Sequence, residues 1–164
     1  MNNLTRAILI GIGATAVLDI WGFARLPLLG QPVPDYGTVG RWIAHMRHGQ
    51  FRHAAISRAE PVRGERALGW TVHYLIGMFF GAVLVWSAGT DWLAHPTPGP
   101  ALAVGIGSVA APFLVMQPGM GAGIAASRSP NPRRARLQSL ITHAVFGIGL
   151  YLTALALALF PPFR

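Results

Sequence analysis

Two histidines occupy equivalent positions in two long apolar segments of the chain. The spacing of Arg66, His73 and Gly77 recurs seventy residues later. The second copy consists of Arg136, His143 and Gly147. An ionisable side chain inside a membrane-length apolar segment is costly, and it usually marks a functional site. Because imidazole titrates near neutral pH and also binds metals and haem iron, the pair is suited to carrying protons or to holding a cofactor.

Two further polar side chains fall at a similar depth in the other two apolar segments. His73 and His143 each follow an arginine by seven residues, which is roughly 10 Å along a helix. Asp19 lies six residues before Arg25 on a helix of the opposite direction, and Gln117 lies slightly deeper. Inside lipid such groups must face inward and satisfy one another. We therefore predict one ligand or proton-relay cluster of Asp19, His73, Gln117 and His143 in the cytoplasmic half.

The composition is that of an integral membrane protein. The 164 residues are 52% hydrophobic and only 11% charged, with a positive mean hydropathy, whereas a soluble domain carries roughly 25% charged residues. The chain has no cysteine, which excludes disulfides, thiolate metal sites and cysteine nucleophiles. All 13 basic residues are arginine, so lysine Schiff-base chemistry and a P-loop lysine are excluded as well.

Four segments are long enough to cross about 30 Å of hydrocarbon as helices. They comprise residues 4–24, 68–86, 101–126 and 137–160. The sequence thus predicts an all-α, four-helix transmembrane bundle that forms a single domain over residues 1–164. Its solvent is the lipid bilayer.

The arginines are distributed unevenly between the connections. Seven lie in residues 25–67 and four in residues 127–136, against one at each terminus. By the positive-inside rule, these two connections face the cytoplasm and both termini face the periplasm. This distribution also accounts for the net charge of +8 without a nucleic-acid partner.

The four segments form two related halves. The second and fourth align as TVHYLIGMFFG against ITHAVFGIGLY, and the first and third as GIGATA (11–16) against GIGSVA (105–110). Residues 4–86 and 101–160 would then be two parallel helical-hairpin repeats about an axis along the membrane normal. Gly77, Gly81 and Gly147 would let the helices approach closely.

The third segment is predicted to be an irregular helix. Pro112 and Pro118 each remove a backbone donor, which leaves the carbonyls of Ser108 and Leu114 without their usual partners. The run MQPGMGAG that follows is rich in glycine. A broken helix at membrane depth is tolerated where it lines a cavity or packs against protein.

The first connection contains a short helical pattern. Val39, Trp42, Ile43 and Met46 recur at helical spacing, with basic residues between them. This pattern predicts an amphipathic interfacial helix on the inner membrane surface. Asp35 or Thr38 would cap its first turn.

The other ionisable residues of this connection are interpreted as surface groups. His45, His48 and His53 are expected to be solvated or lipid-facing rather than metal ligands. Glu60 and Glu65 are expected to form ion pairs with Arg63 or Arg66.

The motifs GATAVLD, RGERALGWTVHYLIG, MQPGMGAGIAAS and THAVFG together resemble a family of small bacterial inner-membrane proteins, domain of unknown function 2938. The resemblance covers nearly the whole chain. It implies a multi-pass protein with four helices in a bacterial inner membrane. It implies no activity, so the function has to be argued from the site.

The favoured hypothesis is a small-solute or proton pathway, because an Asp19 carboxylate paired with a histidine can exchange protons near neutral pH. Four helices are few for a transporter, which predicts a homo-oligomer or a larger membrane complex. An enzyme is not expected, since the serines show no nucleophile motif.

Two alternatives stay open. In the first, His73 and His143 bind haem b or a divalent metal with the help of Asp19. Arg66 and Arg136 would hold propionates at the interface, and Gly77 and Gly147 would leave room for the macrocycle. In the second, the protein is an accessory or assembly factor whose polar layer only fixes helix register.

Overall fold

The computed structural model describes residues 1–160, which contain helices and no strand. Arg164, counted above at the C-terminus, lies outside the described residues. The six α-helices are α1 (Asn3–Leu29), α2 (Tyr36–Met46), α3 (Glu65–Ala88), α4 (Pro98–Gly107), α5 (Gln117–Met120) and α6 (Pro132–Leu159). Short 3₁₀-helices span Ile56–Arg58, Thr90–Leu93 and Ile124–Ala126, and a π-helix spans Pro112–Met116.

Four stretches are long and apolar enough to cross a membrane, which confirms the all-α class and the number of spans. They are Asn3–Leu29, Glu65–Ala88, Pro98–Met120 and Pro132–Leu159. The third stretch ends at Met120 rather than at residue 126, because the following Gly121 adopts a left-handed φ of 97° that ends the helix.

Local signals set both ends of α1. The side chain of Asn2 accepts a hydrogen bond from the Thr5 backbone N–H at 2.8 Å and caps the first turn. Gly30 adopts φ 62° and donates its N–H to the Leu26 carbonyl oxygen at 3.0 Å. α1 therefore continues past the predicted end at residue 24, through Pro27.

The third membrane-length stretch is broken, as the prolines predict. α4 ends at Gly107, residues 108–109 form a turn, and the chain is helical again from Ala110 and π-helical from Pro112. After α5, Ala125 adopts the left-handed conformation with φ 47°, which is unusual for a residue with a side chain. The stretch is thus a set of short helical pieces.

The chain divides into two compact units. The first unit comprises Met1–Val33, Tyr74–Ser108 and the described part of Ile141–Arg164. The second comprises Pro34–His73 and Val109–Leu140. The prediction of a single domain over residues 1–164 stays a prediction.

The first unit contains the apolar core, to which α1, α4 and the unit's portions of α3 and α6 contribute. The buried side chains of this core are Ala7, Ile10, Ala14, Leu84, Val85, Trp92, Leu93, Ala101, Phe146, Leu150 and Ala154.

Helix backbones touch at glycines within the first unit. A Cβ on Gly11 would strike the backbone of Gly77, and a Cβ on Gly81 would strike the carbonyl of Ala7. A Cβ on Gly105 would strike the backbone of Gly147. The Gly11–Gly77 and Gly105–Gly147 contacts occupy equivalent positions of the two predicted hairpins, since Gly11 aligns with Gly105 and Gly77 with Gly147. The internal repeat itself stays a prediction.

The second unit contains the helix predicted in the first connection. Asp35 caps α2 by accepting the Gly37 N–H at 2.9 Å, which confirms one of the two proposed caps. Gly40 of α2 packs directly on the backbone of Glu65 in α3. The indole of Trp42 is buried and lies against Gly119. α2 therefore packs Gly40 and Trp42 against protein.

The glycine contacts give a direct stability test within α4. In Gly105→Ala the new methyl group would overlap the backbone of Gly147, so we expect a loss of about 2 kcal/mol or more. In Gly107→Ala the methyl group meets nothing within 4 Å, so we expect no loss. Thermal unfolding of both purified variants in detergent measures the difference. Equal stability of the two variants would contradict the α4–α6 contact.

Candidate functional site

Asp19 of α1 has a hydroxyl partner in the first unit. Its Oδ2 accepts a hydrogen bond from the Tyr74 hydroxyl of α3 at 2.9 Å, across 55 positions of the sequence. Both side chains are partly buried and both lie on helices of membrane-spanning length. The hydroxyl gives the carboxylate a donor in an apolar setting, where an unpaired charge is costly.

His143 of α6 is held by a serine in the same unit. The buried Ser108 hydroxyl donates to the Gly105 carbonyl at 2.6 Å and lies 2.7 Å from His143 Nδ1. When the single hydroxyl hydrogen of Ser108 goes to that carbonyl, the serine oxygen accepts from the His143 tautomer that carries its proton on Nδ1. The neutral ring then presents Nε2 as its basic atom.

His73 and Gln117 belong to the second unit. The imidazole of His73 stacks on the Tyr36 ring, with centroids 4.1 Å apart and an interplanar angle of 24°. The Trp70 ring lies at a steep angle to the same imidazole, with centroids 5.8 Å apart and an interplanar angle of 72°. The Oε1 atom of Gln117 is buried and has no hydrogen-bond partner among residues 1–160. Because a buried carbonyl normally has a donor, this oxygen is an unsatisfied acceptor among the described residues.

The structure therefore places two of the four predicted residues in each unit. Asp19 and His143 each contact a hydroxyl within the first unit, whereas His73 and Gln117 belong to the second. One shared cluster of all four stays a prediction. Sequence reasoning missed Tyr74 and Ser108. The GIGSVA motif pointed to Ser108, and Tyr74 directly follows His73.

The two predicted interface arginines, Arg66 and Arg136, are exposed. Arg136 Nε donates to the carbonyl of Ala125 at 2.8 Å, so it ties the beginning of α6 to the segment with left-handed backbone. Their location at a membrane interface stays a prediction.

Glu65 forms an ion pair within the second unit that differs from the expectation. Its two carboxylate oxygens accept from Arg41 Nε and Nη2 at 2.9 and 2.7 Å. The expected pairing of Glu65 with Arg63 or Arg66 is wrong, because Gly40 brings α2 against the first turn of α3 and so presents Arg41. The hydrogen bond to Glu65 raises the pKa of Arg41 above its ordinary value. Arg41 Nη1 also donates to two backbone carbonyls, of Ile56 and Ala59.

Two of the loop histidines bond to each other. His45 Nδ1 lies 2.8 Å from His53 Nε2, and His45 Nε2 lies 3.1 Å from the Glu60 carbonyl. His53 is buried, and its backbone N–H donates to the Gly119 carbonyl. The expectation of solvated or lipid-facing histidines is therefore wrong for His53, because the chain folds it against the broken third stretch.

The haem and metal hypotheses stay predictions. Among the described residues, no three His, Cys, Asp or Glu side chains lie close enough to share a metal ion. A Cβ on Gly77 would strike the Thr15 hydroxyl, and one on Gly147 would lie 3.1 Å from the Ala101 carbonyl oxygen. These two glycines therefore make helix contacts within the first unit.

The family described as protein of unknown function (DUF2938) matches residues 8–157. The chain belongs to this family. No curated protein and no solved structure matches it. The family has no assigned activity. Together with the four apolar helices, the membership identifies a multi-pass membrane protein.

The Arg41–Glu65 ion pair predicts a large effect on stability. Arg41→Ala leaves a partly buried carboxylate without its partner and frees two carbonyls, so we expect a loss of about 3 kcal/mol. Arg47→Ala, at an exposed position just after α2, should change stability by less than about 0.5 kcal/mol. Chemical unfolding followed by tryptophan fluorescence compares the two variants. Similar losses in both would contradict the structural role of Arg41.

Proposed function

We propose that this chain is a bacterial inner-membrane protein that carries protons or a small solute, with Asp19 and His143 as its protonatable groups. The observation that supports this most directly is the hydrogen bond from Tyr74 to Asp19 between two membrane-length helices. An ionisable residue at such a position is usually kept for function.

The Asp19–Tyr74 pair is suited to taking up and releasing a proton. When Asp19 is ionised, the Tyr74 hydroxyl donates to it. When Asp19 is protonated, its own O–H becomes a donor and the tyrosine oxygen can accept. The pair therefore keeps a hydrogen bond in both states, which lowers the cost of each state in an apolar setting.

His143 is suited to the same task. Ser108 holds the Nδ1–H, so the ring keeps its orientation while Nε2 gains or loses a proton. A fixed ring with one reactive nitrogen is the arrangement of a proton relay. The same geometry lets Nε2 accept a hydrogen bond from a polar solute.

The broken third stretch supplies the remaining polar groups of the proposal. Irregular backbone and π-helical turns occur often at functional sites, and the stretch contains the unpaired oxygen of Gln117. We infer that Asp19, His73, Gln117 and His143 form one route, which a homo-oligomer or a larger membrane complex completes.

The proposal predicts the effect of removing one charge. In Asp19→Asn the amide cannot exchange a proton, so proton flux in reconstituted vesicles should fall by about tenfold or more. Tyr74→Phe should reduce the flux less, because the carboxylate remains. Flux is measured with an internal pH dye under an imposed potassium diffusion potential.

The matched control is Ser87→Ala, whose hydroxyl donates only to a carbonyl of its own helix. This variant should keep the flux of the wild type. Unchanged flux in Asp19→Asn, together with a loss of thermal stability, would refute the pathway and favour an accessory protein whose polar residues only fix helix register.

We also propose that the arginine-rich connections face the cytoplasm and the termini face the periplasm. The chain has no cysteine, so each introduced cysteine is a unique label. An impermeant maleimide should label Thr90→Cys in spheroplasts. It should label the exposed positions Ser57→Cys and Ser127→Cys only after the membrane is disrupted. The reverse pattern would show the opposite orientation.

A further inference from the structure

Arg25, near the end of α1, is a buried cation with few partners. Only 7% of the residue is exposed. Its Nη2 donates to the Pro32 carbonyl oxygen at 3.2 Å. Its Nε is buried and has no hydrogen-bond partner. Among the described residues, the guanidinium thus has one hydrogen-bond acceptor, the carbonyl of Pro32.

No carboxylate of the described residues lies within ion-pair distance of Arg25. Asp19 is six residues earlier on the same helix, which places it about 9 Å away along the axis and on a different face. Arg41 shows the contrast, since it binds both oxygens of Glu65 and two backbone carbonyls. Among residues 1–160, the charge of Arg25 therefore has no counter-ion.

An anion is the group that would complete this site. A buried charge without a partner is strongly unfavourable. The Nε–H and an Nη N–H of arginine form a planar edge that matches two oxygens of one anion. We propose that Arg25 binds the phosphate group of an anionic ligand. The end of a membrane-length helix lies at the depth of lipid headgroups, so a phospholipid and a free phosphoester are the two sources of that group.

The site is tested by ligand-dependent thermal unfolding of the detergent-purified protein. Phosphatidylglycerol, phosphatidylcholine and inorganic phosphate are the three probes. Phosphatidylglycerol should stabilise the wild type in a saturable way and more than phosphatidylcholine does. Arg25→Gln should raise the half-saturating concentration by about tenfold to a hundredfold, as expected for lost hydrogen bonds to a charged group.

Two further variants separate binding from folding. Arg25→Lys keeps the charge but not the planar edge, so it should bind with intermediate strength even if Arg25→Gln does not fold. Arg63→Gln removes an exposed arginine just before α3 and should bind like the wild type.

The outcomes are distinct. Saturable stabilisation by inorganic phosphate, dependent on Arg25, would support the site and identify a free phosphoester as its ligand. Dependence on phosphatidylglycerol alone would identify a lipid headgroup. The proposal fails if no probe stabilises the wild type, or if Arg63→Gln weakens binding as much as Arg25→Lys does.

Discussion

Direct backbone contact between apolar helices is the constraint on which the geometry of the first unit depends. Lipid provides no hydrophobic force between helices, so close packing has to hold them together. The contact of Gly105 with Gly147 lies one turn from Ser108, the residue just after α4, and one turn from His143 on α6. It thereby brings a hydroxyl within 2.7 Å of an imidazole. A bulkier residue at either glycine would separate the polar pair as well as the helices.

A glycine contact between α1 and α3 lies close to a polar pair in the same way. Gly11 touches Gly77, and the Tyr74 hydroxyl one turn before Gly77 reaches Asp19 two turns beyond Gly11. In each hairpin a polar pair thus lies within about two turns of a glycine contact. The helix packing and the chemistry proposed for the site therefore depend on the same few positions, and a variant at a glycine is expected to impair both.

Much of the fold was predictable because its signals are local. The lengths of the apolar segments gave the four spans, Asp35 capped α2, and Pro112 marked the break in the third stretch. The contacts of the candidate site were not predictable in the same way. Glu65 pairs with Arg41, 24 positions earlier, although two arginines lie much nearer in sequence. Such partners are selected by where helices cross, and spacing along one helix contains no information about that.

The arginines of the two connections are of two kinds, largely buried and exposed, which the sequence alone does not distinguish. Arg25 and Arg41 were counted with the arginines of the first connection, yet both are largely buried and make specific contacts. A buried or ion-paired arginine does little to fix orientation, because the positive-inside rule depends on charge near the lipid surface. The asymmetry remains without them, since nine other arginines of the two connections are exposed. These are Arg47, Arg52, Arg58, Arg63, Arg66, Arg128, Arg133, Arg134 and Arg136. The proposed orientation therefore depends on the exposed arginines. Arg41 stabilises the fold through Glu65, and Arg25 is the arginine proposed to bind an anion.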